Sequence, residues 1–325
     1  MLQRPRRNRR SKAIRSLVRE TELTANHLVL PLFVQEGEDR ETPIASMPGV
    51  SRLGLRRLLE KAKEACSLGV SAVALFPALD ETKKDARGVE SLNPDGLLQR
   101  TVRALKAEVP ELAVITDVAL DPYSCDGHDG LVVEGRIDND QTLPLLSAMA
   151  VAQAQAGADI VAPSDMMDGR VRAIREALDA AGHTEVGICS YAVKYASAFY
   201  GPFREALDSA PRSGDKRTYQ MDPPNHREAI REALLDVDEG ADWLLVKPGL
   251  PYLDIVHALH ERVPMPIAVY HVSGEYSMLK AAAANGNLDY SACLLESMMA
   301  FRRAGASIIF TYAAIDVARL LCRGA

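Results

Sequence analysis

Short apolar runs rich in β-branched residues recur along the chain, and longer amphipathic stretches separate them. A parallel strand that is covered on both faces reads as a continuous apolar run, whereas a half-exposed strand alternates. The runs therefore predict eight buried parallel strands. They cover residues 28–34, 71–77, 112–118, 158–163, 186–191, 242–248, 266–271 and 307–312.

The stretches between these runs mostly hold 12 to 17 residues with helical spacing of apolar positions. Eight strands alternating with helices predict the α/β class, as a (β/α)8 TIM barrel over residues 26–325. A doubly wound sheet is disfavoured because no Gly-rich phosphate loop follows the first strand. Residues 1–25 fall outside the barrel count and are called the N-terminal arm here.

Composition places the chain among ordinary globular enzymes. Hydrophobic residues make up 47% and charged residues 25% of the 325 positions. No apolar stretch approaches the roughly 18 residues of a membrane helix, so we expect no membrane partner. The basic N-terminus has no apolar segment behind it, which argues against a secretory signal and leaves the cytoplasm as the expected location. The five cysteines are scattered without a C-x-x-C pair, as in a reducing compartment.

Positive charge is concentrated in the N-terminal arm. Residues 1–19 carry eight Lys or Arg and no acid, while the remaining chain has 30 basic and 44 acidic residues. Such a segment can bind nucleic acid, dock on an acidic neighbour or remain a solvated tail. No aromatic residue lies among its arginines to stack on bases, so we expect no nucleic-acid partner.

Polar side chains end or follow most of the predicted strands, where a TIM barrel builds its active site. These strand-end residues are Asp117, Ser164, Lys194, Lys247, Ser273 and Tyr312. Lys247 ends the otherwise apolar run "DWLLVKPG", where burial would lower its pKa and yield an amine that forms a Schiff base with a ketone. The alternative is a lysine that extends to solvent. Lys194 follows the preceding strand, so two lysines would share one pocket and depress each other's pKa.

A connection of about 30 residues, 195–225, follows Lys194 and is called the lid here. Connections in compact barrels are usually a few residues long, so this one is either functional or merely exposed. It contains four cationic and five aromatic side chains. Such a segment suits closure over an anionic small molecule.

The chain resembles the porphobilinogen synthases, also called 5-aminolevulinate dehydratases, nearly end to end. The resemblance rests on "APSDMMDGRV", "SAFYGPFREA", "GDKRTYQMDPPN", "LLVKPGLPYLDI", "YHVSGEYSMLKAA" and "IIFTYAA". It implies a barrel whose N-terminal arm wraps a neighbouring subunit, usually in a homo-octamer. It also implies condensation of two 5-aminolevulinate molecules into porphobilinogen with loss of two waters.

The resemblance also implies roles for individual residues. Lys247 would form the Schiff base with the first-bound substrate, and Lys194 would be the second active-site lysine. Glu232 would bind an allosteric magnesium ion at a subunit boundary. The remaining matches are substrate-binding residues: Arg204, Lys216 and Gln220 would hold the second substrate, and Ser273 and Tyr312 the carboxylate of the first.

The stretch "DVALDPYSCDGHDG", residues 117–130, is called the aspartate loop here. In zinc-using members of the family three cysteines of this loop bind the metal, and Ala119, Asp121 and Asp129 occupy their positions here. Carboxylates favour harder ions than zinc, so we expect no active-site zinc. We expect Asp117, Asp121 and Asp129 to line the second-substrate pocket.

Two other functions stay open on the sequence. A class I aldolase would also use a Schiff-base lysine on a barrel, although one lysine would suffice for it. A nucleic-acid-binding or scaffold protein would use the N-terminal arm on an inert barrel and would form no adduct with aminolevulinate.

Overall fold

The computed structural model describes residues 1–207 and 211–323, without the side chains of Arg204 and Glu205. Its strands, numbered along the chain, have these bounds. They are β1 Leu28–Val34, β2 Glu41–Pro43, β3 Ser51–Leu53, β4 Ala72–Pro77, β5 Ala113–Val118, β6 Val132–Val133, β7 Arg136–Ile137, β8 Ile160–Pro163, β9 Gly187–Lys194, β10 Trp243–Lys247, β11 Ile267–His271 and β12 Ile308–Thr311.

Eight of the strands in the described residues close into a parallel barrel. The order is β1, β4, β5, β8, β9, β10, β11 and β12, and β12 pairs again with β1 through Leu28↔Ile309. All eight coincide with the predicted apolar runs to within a few residues. The predicted (β/α)8 TIM barrel is therefore confirmed, and the carboxyl ends of its strands meet at one rim.

Helices lie between the strands and cover the barrel. They are α1 Lys12–Leu17, α2 Leu55–Ser67, α3 Leu97–Glu108, α4 Asn139–Ala156, α5 Arg170–Ala180, α6 Gly201–Leu207, α7 Arg227–Asp238, α8 Leu253–His260, α9 Ser273–Ala284, α10 Tyr290–Ala304 and α11 Ala314–Cys322. Gly157 and Gly305 end α4 and α10 with φ of 105° and 113°, a left-handed conformation that residues with a Cβ seldom adopt. None of the helices in the described ranges is long and apolar enough to span a bilayer.

Three segments lie outside the regular barrel. The strands β2 and β3 extend the sheet beside β1, and β6 pairs with β7 in a short hairpin. The N-terminal arm forms a 3-10 helix, Pro5–Arg9, followed by α1, and nearly all of its side chains up to residue 20 are exposed. An arm with so little contact to its own barrel is available to another surface.

Candidate active site

Lys194 and Lys247 lie side by side at the rim, at the ends of β9 and β10. The two residues are direct Cα partners in the sheet, and each side chain is about 6% exposed. The pairing of these strands shifts register between Leu244 and Val246, as at a β-bulge. In a regular strand, residues three positions apart point to opposite faces of the sheet. The irregularity instead lets both Tyr191 and Lys194 point to the inside of the barrel.

Lys247 is surrounded by aromatic rings. Its Nζ lies 4.6 Å from the ring centre of Tyr270, 4.9 Å from Phe203, 5.2 Å from Tyr191 and 5.4 Å from Tyr200. Among the described residues no carboxylate lies within ion-pair distance of this nitrogen. Burial, helped by the charge of Lys194, lowers the pKa of Lys247 to about 7. A large fraction of it is therefore a neutral, nucleophilic amine at physiological pH.

Lys194 has a different environment from Lys247. Its Nζ lies 3.0 Å from the Asp129 carboxylate and donates to the backbone oxygen of Ser164. The other oxygen of Asp129 lies 2.5 Å from Lys216 of the lid. Burial opposes ionisation of Asp129, but the charges of Lys194 and Lys216 outweigh it and lower the pKa of this carboxyl. The two neighbouring lysines thus differ in partner, one facing a carboxylate and the other facing rings.

Asp117 and Asp121 also lie beside the lysine pair. Burial and the nearby charge of Asp121 raise the pKa of Asp117 to about 7, although Lys194 and a hydrogen bond from Ser164 act in the opposite direction. A carboxyl with this pKa can give or take a proton at neutral pH. Asp121 is 7% exposed and lies 3.4 Å from the Nζ of Lys216. The aspartate loop therefore supplies both charge and a titratable proton to the pocket.

The backbone that follows Lys247 is fixed by a buried glutamate. The two carboxylate oxygens of Glu275 accept hydrogen bonds from the backbone N–H groups of Gly249, Leu250 and Val272. Burial raises the pKa of Glu275 to about 7. Gly249 and Leu250 follow β10, and Val272 follows the neighbouring strand β11. Glu275 therefore holds the backbone just after Lys247 against the start of α9.

Ser273 and Tyr312 lie on the far side of Lys247. Ser273 is the first residue of α9, and its Oγ accepts from the backbone N–H of Phe203 and donates to the oxygen of Phe199. The hydroxyl of Tyr312 accepts from that of Tyr270 at 3.1 Å. Tyr270 in turn contacts Lys247 through its ring. Two hydroxyl groups therefore adjoin the aromatic side of the pocket, and their predicted binding of a substrate carboxylate stays a prediction.

Described residues of the lid lie close to the lysine pair: the rings of Tyr200 and Phe203 face Lys247, and Lys216 shares the carboxylate partner of Lys194. The two ends of the lid meet beside Lys194, where Tyr195 and Met221 form a β-bridge. Lys216 and Gln220 reach the buried side, whereas the side chain of Arg204 lies outside the described residues. The predicted long connection contains a 3-10 helix, Ala198–Tyr200, and α6, so part of its described residues is regular structure.

A large cleft among the described residues lies apart from the two lysines. A cleft of about 990 Å³ lies between the lid, the β6–β7 hairpin and α7, and its lining includes Asp168, Gln220 and Glu232 but neither lysine. Glu232 lies on α7, and burial together with the charge of Asp236 raises its pKa. The described residues contain no cluster of three or more His, Cys, Asp or Glu side chains arranged for a metal ion. Glu232 thus lines a cleft whose lining includes neither Lys194 nor Lys247.

The sequence alone missed several contacts of this site. In the sequence, Tyr191 and Tyr270 look like ordinary core residues of their strands. Only their positions in space, with both rings facing the Nζ of Lys247, assign them to the site. His128 contacts Tyr219 across 91 residues of chain, which no local pattern reveals.

Comparison with known proteins identifies relatives over the whole barrel. The family model of delta-aminolevulinic acid dehydratase matches residues 2–320. A chloroplastic delta-aminolevulinic acid dehydratase of Physcomitrium patens is 57% identical over 98% of this chain and 74% of the relative. One of Glycine max is 58% identical over 98% of this chain and 78% of the relative. A Toxoplasma gondii delta-aminolevulinic acid dehydratase, solved with the reaction product porphobilinogen, has a TM-score of 0.96 at 53% identity, covering 98% of this chain and 91% of that one.

These relatives correct one expectation. The plant enzymes are named as chloroplastic, which points to a plastid, so the cytoplasmic location expected from the sequence is wrong. That expectation rested on the lack of a secretory signal, and plastid targeting does not use an apolar secretory segment.

Proposed function

The chain belongs to the delta-aminolevulinic acid dehydratase family, and we infer that it condenses two molecules of 5-aminolevulinate into porphobilinogen with loss of two waters. This reaction is an early step of tetrapyrrole synthesis. The observation that carries the inference is the pair of buried lysines in register on adjacent strands, which have different partners. Two keto substrates require two positioned reaction centres.

Lys247 forms the first Schiff base. Its neutral amine donates its lone pair to the ketone carbon of the first substrate. The carbonyl oxygen leaves as water with one proton from the amine nitrogen and one from Asp117, and the nitrogen keeps its second hydrogen in the cationic imine. The aromatic surroundings favour the neutral amine before attack by excluding water, and their π faces stabilise the cationic, protonated imine afterwards. Asp117, with its pKa near 7, is placed to exchange the protons of this step.

Lys194 serves the second substrate. Asp129 holds its ammonium group until the ammonium group of the incoming substrate competes for the same carboxylate. Lys194 can then pass one proton to Asp117, which gave up its own in the first step, and form the second Schiff base. A class I aldolase would need one lysine only, and this chain supplies a second lysine with its own carboxylate.

Cationic and hydroxyl groups hold the two substrate carboxylates. Ser273 and Tyr312 bind that of the first substrate beside the aromatic rings of Lys247. Lys216, Gln220 and Arg204 bind that of the second, with Lys216 exchanging its present aspartate partners for the substrate. Charge-assisted bonds of this kind are the strongest hydrogen bonds available to a carboxylate.

Magnesium and an octamer belong to the same proposal. A hydrated magnesium ion keeps most of its waters and needs few protein carboxylates, so Glu232 suits it as a single protein ligand. Burial, and after it the charge of Asp236, raises the pKa of Glu232, and a divalent cation would relieve the repulsion between these acids. The ion would act on the assembly, through a boundary to which the exposed basic arm of a neighbouring subunit contributes. Sedimentation of the full chain tests the octamer.

The proposal is tested by trapping the imine. The protein is incubated with 5-aminolevulinate and reduced with borohydride, and the adduct is located by peptide mass spectrometry, with Lys247→Met as control. We expect one adduct on Lys247 at low substrate and porphobilinogen on turnover. An unlabelled Lys247 in active wild-type protein would refute the Schiff-base assignment.

A further inference from the structure

The tip of the lid is attached to the aspartate loop at few points. Most residues from Arg212 to Thr218 are exposed, so little apolar burial holds this segment. Its described attachments are a backbone bond from Arg212 to Asp126 with an ion pair to Glu81, the pairing of Lys216 with two aspartates, and contacts made by His128. An exposed ion pair such as that with Glu81 contributes little.

His128 bridges two separate positions of the lid. Its Nε2 lies 2.9 Å from the backbone oxygen of Ser213, and its Nδ1 lies 3.0 Å from the hydroxyl of Tyr219. That hydroxyl also accepts from the backbone N–H of Asp129 at 3.3 Å. His128 is only 5% exposed, so water competes little for these bonds.

The directions of these bonds follow from their partners. A carbonyl oxygen only accepts, so Nε2 of His128 carries the proton and donates to Ser213. Nδ1 is then the acceptor and Tyr219 the donor. The result is one continuous chain from the Asp129 N–H through Tyr219 and His128 to Ser213, in which every polar atom has a suitable partner.

This chain differs from the Lys216 pairing in one respect. In the proposed function, on which this inference rests, the second substrate takes over Lys216, and the lid then loses its ionic attachment to Asp121 and Asp129. Neither His128 nor Tyr219 needs to change partner when that happens. A lid that must stay closed over a water-sensitive imine requires an attachment that persists when the substrate binds, as the hydrogen bonds of His128 and Tyr219 can.

We propose that His128 and Tyr219 form a latch that keeps the lid closed on the aspartate loop while Lys216 is transferred to the substrate carboxylate. Both are positioning residues, since they act through the lid and through the backbone of Asp129. The latch serves the second substrate and is not needed for the first Schiff base at Lys247.

Three variants test the latch. Tyr219→Phe removes the shared hydroxyl and keeps the ring, and His128→Leu removes both ring nitrogens. His128→Gln offers one donor and one acceptor again and should restore the bridge. Thr218→Ala, an exposed neighbour in the lid with no described hydrogen bond, is the matched control.

Two readouts distinguish the latch from a general structural role. Trypsin can cut the lid at Arg212, Lys216 and Arg217, and we expect faster cleavage there in Tyr219→Phe and His128→Leu. The KM for porphobilinogen formation should rise by about threefold to tenfold, the value of one or two hydrogen bonds. The yield of the Lys247 adduct at low substrate should stay as in wild type, and His128→Gln should behave like Thr218→Ala.

The outcomes separate this inference from the proposed function. Wild-type cleavage rates and KM in both disrupting variants would overturn the latch while leaving the Schiff-base chemistry standing. The latch would also be overturned if the effects of Tyr219→Phe and His128→Leu added fully when both changes are combined. Either change alone already breaks the same chain of hydrogen bonds, so the second change should add little. A wild-type protein that forms neither adduct nor porphobilinogen would instead remove the proposed function itself.

Discussion

At the scale of single residues, environment differentiates two lysines that the sequence presents as alike. Lys247 lies among rings and Lys194 against Asp129, although the two are neighbours in the sheet. Burial and the charge of Lys194 lower the pKa of Lys247. A buried amine beside a second ammonium group is thereby prepared for attack at neutral pH.

Lys194→Met should raise the pKa of Lys247, because the variant removes a like charge and leaves burial unchanged. In wild type the rate of borohydride-trapped adduct formation should rise as pH increases through about 7, as the amine loses its proton. In the variant the midpoint moves to higher pH, and at pH 7 trapping is slower by about threefold to tenfold.

Lys216→Met is the matched control for this prediction. It removes another buried lysine that also pairs with Asp129 but is not among the groups that shift Lys247. An unchanged midpoint in Lys194→Met would contradict the assigned effect of the neighbouring charge.

At the scale of elements, the site depends on close contact between the lid and the start of α9. A Cβ at Gly274 would lie 2.5 Å from the backbone oxygen of Phe199 and within 3.0 Å of two further backbone atoms. Backbone cannot move aside as a flexible side chain can. The two elements must therefore separate if any larger residue occupies this position, and the hydrogen bonds of Ser273 to the lid must lengthen with them.

Gly274→Ala should destabilise the protein by about 1–3 kcal/mol, the usual cost of overpacking, and raise KM through the displaced Ser273. Urea unfolding and steady-state kinetics measure the two effects. Gly201→Ala is the control, since a Cβ there meets no atom within 4 Å. Equal stability of the two variants would show that the contact between α9 and the lid is not tight.

At the scale of the whole molecule, charge is divided between an exposed basic arm and an acidic barrel. The cleft beside Glu232 includes Asp168, Asp215, Asp222 and Glu228 in its lining. Bringing such a surface near another acidic surface costs free energy through charge repulsion. In the assembly proposed above, a hydrated magnesium ion would lower that cost at a subunit boundary.

Removal of metal should therefore lower activity through assembly and not through the imine chemistry. Chelator-treated protein should regain activity with magnesium, and Glu232→Gln should lose that stimulation, while Glu239→Gln, in the same acidic region, should retain it. Activity and sedimentation are measured together. Stimulation by zinc alone would contradict both the magnesium proposal and the prediction that the active site has no zinc.

The sequence by itself determined the barrel, and it predicted the reacting groups at the rim of that barrel. Eight short apolar runs that alternate with helical patterns favour strands buried on both faces, and eight such strands predict a closed barrel. Lys247, at the end of one of these runs, is therefore predicted to lie at the rim. The family resemblance placed Lys194 and the substrate-binding residues, whose contacts with substrate stay a prediction.

Only the tertiary structure decided what each group touches. The bulge that turns Lys194 inward, the choice of Asp129 as its partner and the bridge from His128 to Tyr219 depend on register and on contacts between distant segments. Local patterns carry no information on such contacts, because hydrophobic periodicity reports which face is buried and not which side chain lies opposite.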